Sequence, residues 1–405
     1  MSGMKTNGPE KPGSGGGEVD RGDDIRVDGR IPFNRPYLVG SEFGRMREAV
    51  EGLVISEGGP FTDQCEQLLV DMTGAKAALL TSSCTHALEM AALLLDLEEG
   101  DEVVMPSFTF VSTANAFALR GAKPIFADIR SDTLNLDERL LESKITPRTR
   151  AIVVVHYASV SCEMDAIRTV ADEAGLPIIE DNAHGLLGSY KGKPLGTFGV
   201  MATQSFHETK NLTCGKGGAL LLNDADLLDR AIVIRNKGTN RAQFLEGLVD
   251  EYTWVGLGSS YQPSELLSAF LLCQFEARTL IQQKRKEIWQ RYDERLADWA
   301  DAEGVQKPVV PEHVDQAFHM YHLLLPTAEH RGRFITFLEG HGVNAVFHYV
   351  PLNLSPMGES LGARPGDCPV AEDVSSRLVR LPFFTGLDEA TQEIVIRTVR
   401  EYRCG

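Results

Sequence analysis

From Ile31 to about residue 280 the chain keeps switching between two periodicities: short apolar, β-rich runs are each followed by a stretch with helical spacing. KAALL leads into THALEMAALLLDL, DEVVM into VSTANAFALRG, KPIFADI into LDERLLESKI, and RAIVVVHY into MDAIRTVADEAG, after which LPIIED begins another strand. Such alternation builds βαβ units, so the expected fold class is α/β: a mostly parallel sheet with helices on both faces. In an open sheet of this kind, ligands bind in the crevice beyond the carboxyl ends of the strands. The residues just after each apolar run are therefore where chemistry is to be sought.

The flanks read differently. Residues 1–30, with KPGSGGGEVDRGDD, are rich in glycine and charge, carry few apolar residues, and are expected to form a disordered tail. Residues 31–280 form the expected large domain. Residues 281–405 form a connecting helix, around 282–302, and a smaller α/β domain: AFHMYHLLLP, HRGRFITFLEGHG and NAVFHYVPL alternate, and a last helix lies near 390–402.

The formal net charge of -17 argues against a nucleic-acid or anionic-membrane partner, either of which calls for a basic surface. No apolar run approaches the roughly 20 residues that span a bilayer, and no signal-peptide core follows the N-terminal basic residues. The seven cysteines, at 65, 84, 162, 214, 273, 368 and 404, include no CxxC or other zinc-type spacing, which suggests a reducing cytoplasm.

Five segments fall at the strand ends: SSCTH (82–86), PSFTF (106–110), HYASVS (156–161), EDNAH (180–184) and SFHETK (205–210). Each has an ordinary structural reading. Serine and threonine cap helices, a phenylalanine fills a core, a lysine is solvated, and a carboxylate at the end of a buried strand takes a salt bridge. Together they offer more: hydroxyls and backbone N–H groups at a helix start for a phosphate, Phe110 to stack on a ring, Asp181 to hold a pyridinium nitrogen protonated, and Lys210 to form an imine with an aldehyde. That set describes a site for pyridoxal 5'-phosphate. No GxGxxG or GxxxxGK follows any strand, so dinucleotide and P-loop readings lose their main support.

The runs PSFTFVSTANAFALRGAKPIFADI, IIEDNAHGLLGSYKG, SFHETKN and FHYVPL resemble the DegT/DnrJ/StrS family of sugar aminotransferases, over nearly the whole chain from Ile31. The resemblance implies the aspartate-aminotransferase fold (fold type I of the pyridoxal-phosphate-dependent transferases) and activity on nucleotide-linked keto sugars. It also implies Lys210 as the Schiff-base lysine and proton shuttle, Asp181 as the partner of the ring nitrogen, Phe110 as the platform and His184 beside the phenolic oxygen. Cys84, Thr85 and Ser205 would hold the phosphate, with His207 nearby. SSCTHALEMAALLLD, HYASVSCEMD, SFHETKN and KGTNR look most like the branch that makes dTDP-4-amino-4,6-dideoxygalactose from dTDP-4-keto-6-deoxyglucose. By resemblance, Asn240, Arg241, His348 and Tyr349 would face the sugar, glutamate would be the amino donor, and a homodimer with shared active sites is expected.

Two positions depart from the family pattern. The turn CGKGG carries Lys216 where an acidic residue is usual, and GSS carries Ser260 where many members have a cofactor-binding asparagine reaching from the neighbouring subunit. The competing readings are a sugar 3-aminotransferase, a 3-dehydratase, which has histidine in place of the lysine, and a non-catalytic sensor or scaffold. His319, His322, His341 and His348 lack a neighbouring acidic residue or cysteine that would complete a metal set, and no metal is expected.

Overall fold

A computed structural model describes residues 25–405; the expected tail at 1–30 therefore lies almost entirely outside the described residues. Seven strands form the central sheet: β1 (Ala77–Thr81), β2 (Glu102–Pro106), β3 (Lys123–Ala127), β4 (Thr149–Val155), β5 (Ile178–Asp181), β6 (Met201–Ser205) and β7 (Gly218–Leu222). Their spatial order is β1-β7-β6-β5-β4-β2-β3. The pairs β6/β5, β5/β4, β4/β2 and β2/β3 are parallel, whereas β7 runs antiparallel to both β6 and β1. The expected mostly parallel α/β architecture is present. The antiparallel β7, GALLL, was not among the expected strands.

Burial on both faces follows from alternation along the strands. Val103 and Met105 point into one core with Leu88 of α1 (Cys84–Leu94) and Phe117 of α2 (Val111–Ala118). Val104, between them, joins a second core with Met164 and Ile167 of α3 (Met164–Ala174). All three β2 residues are fully buried, and each such side chain contributes about 1.5–3 kcal/mol, so a polar residue in either register would be felt.

Toward the C-terminus the expected connecting helix is two. After α4 (Glu265–Glu276), α5 runs Arg278–Arg295, and a separate short helix, Ala297–Glu303, follows a break at Leu296. LDERLLESKI gives only a 3-10 turn and a single helical turn. Helices at Ala328–Gly340 (α6) and Glu389–Glu401 (α7) match the sequence reading. NAVFHYVPL forms no strand and is joined to β9 by a bridge from Val346 to Arg380; the local pair is β8 (His322–Leu324) with β9 (Leu378–Arg380). This pair places Arg380 over the carboxyl ends of the main sheet, with His322 opposite it in the register and buried.

Candidate active site

The parallel strands β2, β4, β5 and β6 end at the same side of the sheet, where one cavity of about 460 Å³ opens. Cys84, Thr85, Phe110, Asp181, His184, Ser205, Lys210, His348 and Tyr349 all line it, as do His207 and Lys216. Nine of the residues singled out as cofactor or substrate contacts thus meet in one space, though they lie up to 265 positions apart (349 − 84).

Lys210 sits in the loop between β6 and β7. The loop closes on itself: Phe206 N–H donates to Gly217 O at 2.8 Å, Glu208 N–H to Gly215 O at 3.0 Å, and Lys210 N–H to His207 O at 2.8 Å. Gly215, at φ +82°, supplies the left-handed turn that reverses the chain. Gly218 serves a different need, since a Cβ there would come within 2.3 Å of Cys84 N, so only glycine lets β7 pass the start of α1. Burial lowers the Lys210 ammonium to about 8; the nearby Cys84 and Asp181 oppose the shift, and the Arg380 charge adds to it.

Asp181 ends β5 and is only 5% exposed. Oδ2 accepts from Thr113 Oγ1 at 2.7 Å and Oδ1 from Ala183 N–H at 3.2 Å, while Thr113 meets Thr109 Oγ1 at 2.8 Å. The expected salt bridge is absent, because no cationic side chain lies within ion-pair distance of Asp181 among the described residues. Burial consequently raises its pKa, against the pull of Thr113. A buried carboxylate held by two donors and aimed at an open cavity fits a protonated ring nitrogen, so the residues present fit the cofactor. Next to it Glu180 turns the other way and accepts from the Gly196, Phe198 and Gly199 N–H groups and from the His156 ring at 3.0 Å, which anchors the end of β5.

The start of α1 also lines the cavity. Ser83 is its N-cap, accepting from His86 N–H at 3.1 Å, and the first backbone N–H groups of the helix have no intrahelical partner. Thr85 Oγ1 lies 2.8 Å from Ser112 Oγ, and Cys84 Sγ lies 3.5 Å from Thr203 Oγ1. Burial, and next Asp181, push the Cys84 thiol well above its ordinary range, so it stays uncharged and leaves the helix start open to an anion.

Phe110, the N-cap residue of α2, is 54% exposed and stands at the cavity with its ring 6.2 Å from Tyr349. His184 is stacked on His319, with centroids 4.2 Å apart at 21°. His348 Nδ1 lies 2.9 Å from the buried Tyr157 hydroxyl. Burial is the first cause that lowers the pKa of His184, His319 and His348, and Arg380 or Lys210 adds to it.

Three sequence-selected residues do not line this cavity. Ser260 is exposed and bridges Asn236, Arg241 is exposed, and Asn240 uses its Oδ1 to accept Thr253 N–H at 2.7 Å. His341 is also elsewhere, bonded to Phe337 O, and among the described residues no group of three or more His, Cys, Asp or Glu is placed to hold a metal. Conversely, sequence reasoning missed Thr113, Tyr157, Arg380 and the role of His319. Arg380 and His319 line the cavity, whereas Thr113 and Tyr157 stand behind it, bonded to Asp181 and His348, and only the packing over the strand ends shows these neighbours.

A model of the DegT/DnrJ/EryC1/StrS aminotransferase family matches residues 36–400. The chain is 32% identical over 379 residues to the spore coat polysaccharide biosynthesis protein SpsC of Bacillus subtilis, covering 92% of this chain and 96% of that one. It is similar to the aminotransferase TlmJ from Streptoalloteichus hindustanus, with a TM-score of 0.84 at 30% identity over 91% of this chain and 98% of that one. The PLP-form of Spr1654 from Streptococcus pneumoniae gives a TM-score of 0.86 at 25% identity, over 92% and 98% of the two chains.

Proposed function

This chain belongs to the DegT/DnrJ/EryC1/StrS aminotransferase family and is a pyridoxal-phosphate-dependent sugar aminotransferase of fold type I; from that premise we propose that it aminates C4 of dTDP-4-keto-6-deoxy-D-glucose, with glutamate as donor. The observation that carries this reading is the meeting of a neutralisable lysine and an unpaired buried carboxylate in one cavity. The choice of C4 is supported by the resemblance of SSCTHALEMAALLLD, HYASVSCEMD, SFHETKN and KGTNR to that branch. Amination at C3 is the second reading, and NMR of the product separates the two.

When bound, pyridoxal phosphate supplies an electron sink for the carbon that loses its proton and carries the amino group from donor to sugar. Lys210 would hold the cofactor covalently, and its freed Nζ would take the α-proton from the donor and later deliver a proton to C4 of the sugar. Burial lowers the pKa of the free Lys210 amine to about 8, toward the range in which an amine exchanges protons near neutral pH. Asp181, oriented by Thr113, would keep the ring nitrogen protonated. Phe110 would cover the ring, and His184 would serve its phenolic oxygen. The start of α1, with Cys84, Thr85 and Ser205, would hold the phosphate. His348 and Tyr349 stand beside the sugar. Lys216 and Arg380 add two cations to a cavity whose only lining carboxylate among the described residues is Asp181, which suits the donor carboxylates and the nucleotide diphosphate.

The active assembly is a homodimer in this reading, with Ser260 reaching the partner's cofactor phosphate and Asn240 and Arg241 reaching the nucleotide sugar. Support comes from an unusually apolar surface: Leu53, Ile55, Leu245, Leu248, Trp254 and Leu257 are all exposed, and the two segments are tied by the 2.6 Å Lys237–Glu57 ion pair. The cytoplasm is the place of action, in keeping with seven unpaired cysteines; among the described residues no helix is long and apolar enough to cross a membrane.

The test is the absorption spectrum of the purified protein before and after glutamate. A cofactor band that glutamate converts, and that Lys210→Ala lacks, establishes the donor half. Absence of any band after pyridoxal phosphate is added overturns the reading.

A further inference from the structure

His319 is held by hydrogen bonds that dictate which of its nitrogens carries the proton. Its Nδ1 lies 2.9 Å from Asn211 Oδ1, and Asn211 Nδ2 donates to Ala317 O at 2.6 Å. A carbonyl can only accept, so the amide nitrogen of Asn211 must face Ala317 and its oxygen must face His319. The imidazole therefore donates from Nδ1. Burial, with the Lys210 charge adding to it, keeps the ring neutral at pH 7. Its Nε2 is then a bare lone pair, with no hydrogen-bond partner among the described residues, on a side chain that lines the cavity.

His184, stacked against it, is the opposite tautomer. Its Nδ1 accepts from Ala158 N–H at 3.3 Å, and burial also keeps it neutral, so its Nε2 carries the proton. The stack thus presents one donor and one acceptor side by side. Under the proposed function the donor has an assignment, the phenolic oxygen, and the acceptor has none. The anionic groups entering the cavity, phosphate, diphosphate and carboxylates, are acceptors themselves and cannot satisfy it. A hydroxyl can, and in a 4-keto-6-deoxyhexose the only ring carbon next to C4 that bears a hydroxyl is C3.

We propose that His319 Nε2 accepts a hydrogen bond from the C3 hydroxyl of the sugar, making His319 a specificity-determining residue that selects keto sugars retaining that hydroxyl. This rests on the C4-amination reading above. The neighbours explain the choice of residue. Asn211 follows Lys210 directly, so the same loop that carries the proton shuttle sets the tautomer of the residue that grips the sugar.

The experiment compares kcat/KM for dTDP-4-keto-6-deoxyglucose and its 3-deoxy analogue in wild type, His319→Phe and His319→Gln. Phenylalanine keeps a ring against His184 and removes the acceptor, whereas glutamine restores an acceptor without the ring. Wild type should prefer the hydroxylated sugar about 10- to 100-fold, the scale of one buried hydrogen bond. The preference should fall to near unity in His319→Phe and return in part in His319→Gln. An unchanged preference in His319→Phe, or a loss confined to the glutamate half-reaction, overturns the proposal while leaving the aminotransferase reading intact. A wild type that glutamate converts but that aminates no 4-keto sugar overturns the C4 reading and this inference together. Imidazole nitrogen NMR of the wild-type protein gives a readout independent of folding in the variants: a proton on His319 Nε2 rather than Nδ1 overturns it.

Discussion

The strand-end wall of the cavity and the segment from Asn236 to Ser260 were both singled out as functional, yet they are built on different terms. Asp181 and Cys84 stand on the ends of a strand and a helix, and Lys210 and His184 on short loops that follow strands packed in continuous cores; every one lines a single cavity of one chain. Ser260, Asn240 and Arg241 lie outside that cavity on a segment whose apolar residues face outward, with Trp254 74% exposed. Cofactor chemistry needs groups held to within a fraction of an ångström, which packed elements provide. Contacts that arrive with a second subunit need only a surface on which that subunit can seat itself.

The largest effect tests the first half of this contrast. Lys210→Ala should lower turnover by at least about 10³-fold, within the range for removing a proton-transfer group, and single-turnover spectra with glutamate check it. Normal turnover would break the comparison at its centre. Asp181→Asn should cost about a hundredfold in turnover, about 2.7 kcal/mol, the scale of a charged hydrogen bond lost from a buried site. The same change should leave the cofactor-free protein as stable as before or more so, since it removes a buried carboxylate with no cationic partner; thermal melts with and without cofactor show whether the two effects have opposite signs.

Trp254→Ser combined with Leu257→Ser tests the outer segment. If these side chains anchor a dimer, dissociation should strengthen by about 30-fold or more, since truncation of an interface anchor commonly costs 2 kcal/mol. Sedimentation at several concentrations reads this directly, and a wild-type protein that is monomeric and fully active would end the two-subunit reading. The donor half-reaction should rise about tenfold per pH unit up to about 8 and then level, because the depressed lysine is protonated below that value and neutral above it. A flat profile from pH 6 to 8 would mean that another group moves the proton. Ser260→Ala should have the smallest consequence, about fivefold in cofactor affinity, the worth of roughly 1 kcal/mol for one hydroxyl contact. Restoring an asparagine there should tighten binding if the position serves a partner's phosphate, and equilibrium titration of cofactor measures both variants.

Much of this is legible in the sequence. The alternation of KAALL, DEVVM, KPIFADI, RAIVVVHY and LPIIED with helical stretches carried the sheet, and the residues after those runs carried the site, because a parallel strand must end where its crossover begins. What failed to show was non-local. β7 reads as any short apolar run, and its antiparallel direction depends on the hairpin that Gly215 and the loop hydrogen bonds close. The break at Leu296 sits within a charged stretch whose helical period continues across it. The missing salt bridge at Asp181 was the most instructive departure. Burial demanded a partner, and the structure shows two neutral donors and an open cavity in place of a cation.

The sequence by itself determined the fold class, the strand-end position of Lys210 and Asp181, and the family, since each depends on local periodicity or on short contiguous motifs. Only the tertiary structure decided how those groups are tuned. Thr113 reaches Asp181 across 68 positions, His319 stacks on His184 across 135 (319 − 184), and the pKa of Lys210 follows from burial among residues drawn from distant elements. Protonation states and tautomers depend on the dielectric and on hydrogen-bond partners within a few ångströms, and those neighbours are assembled by packing rather than by order along the chain.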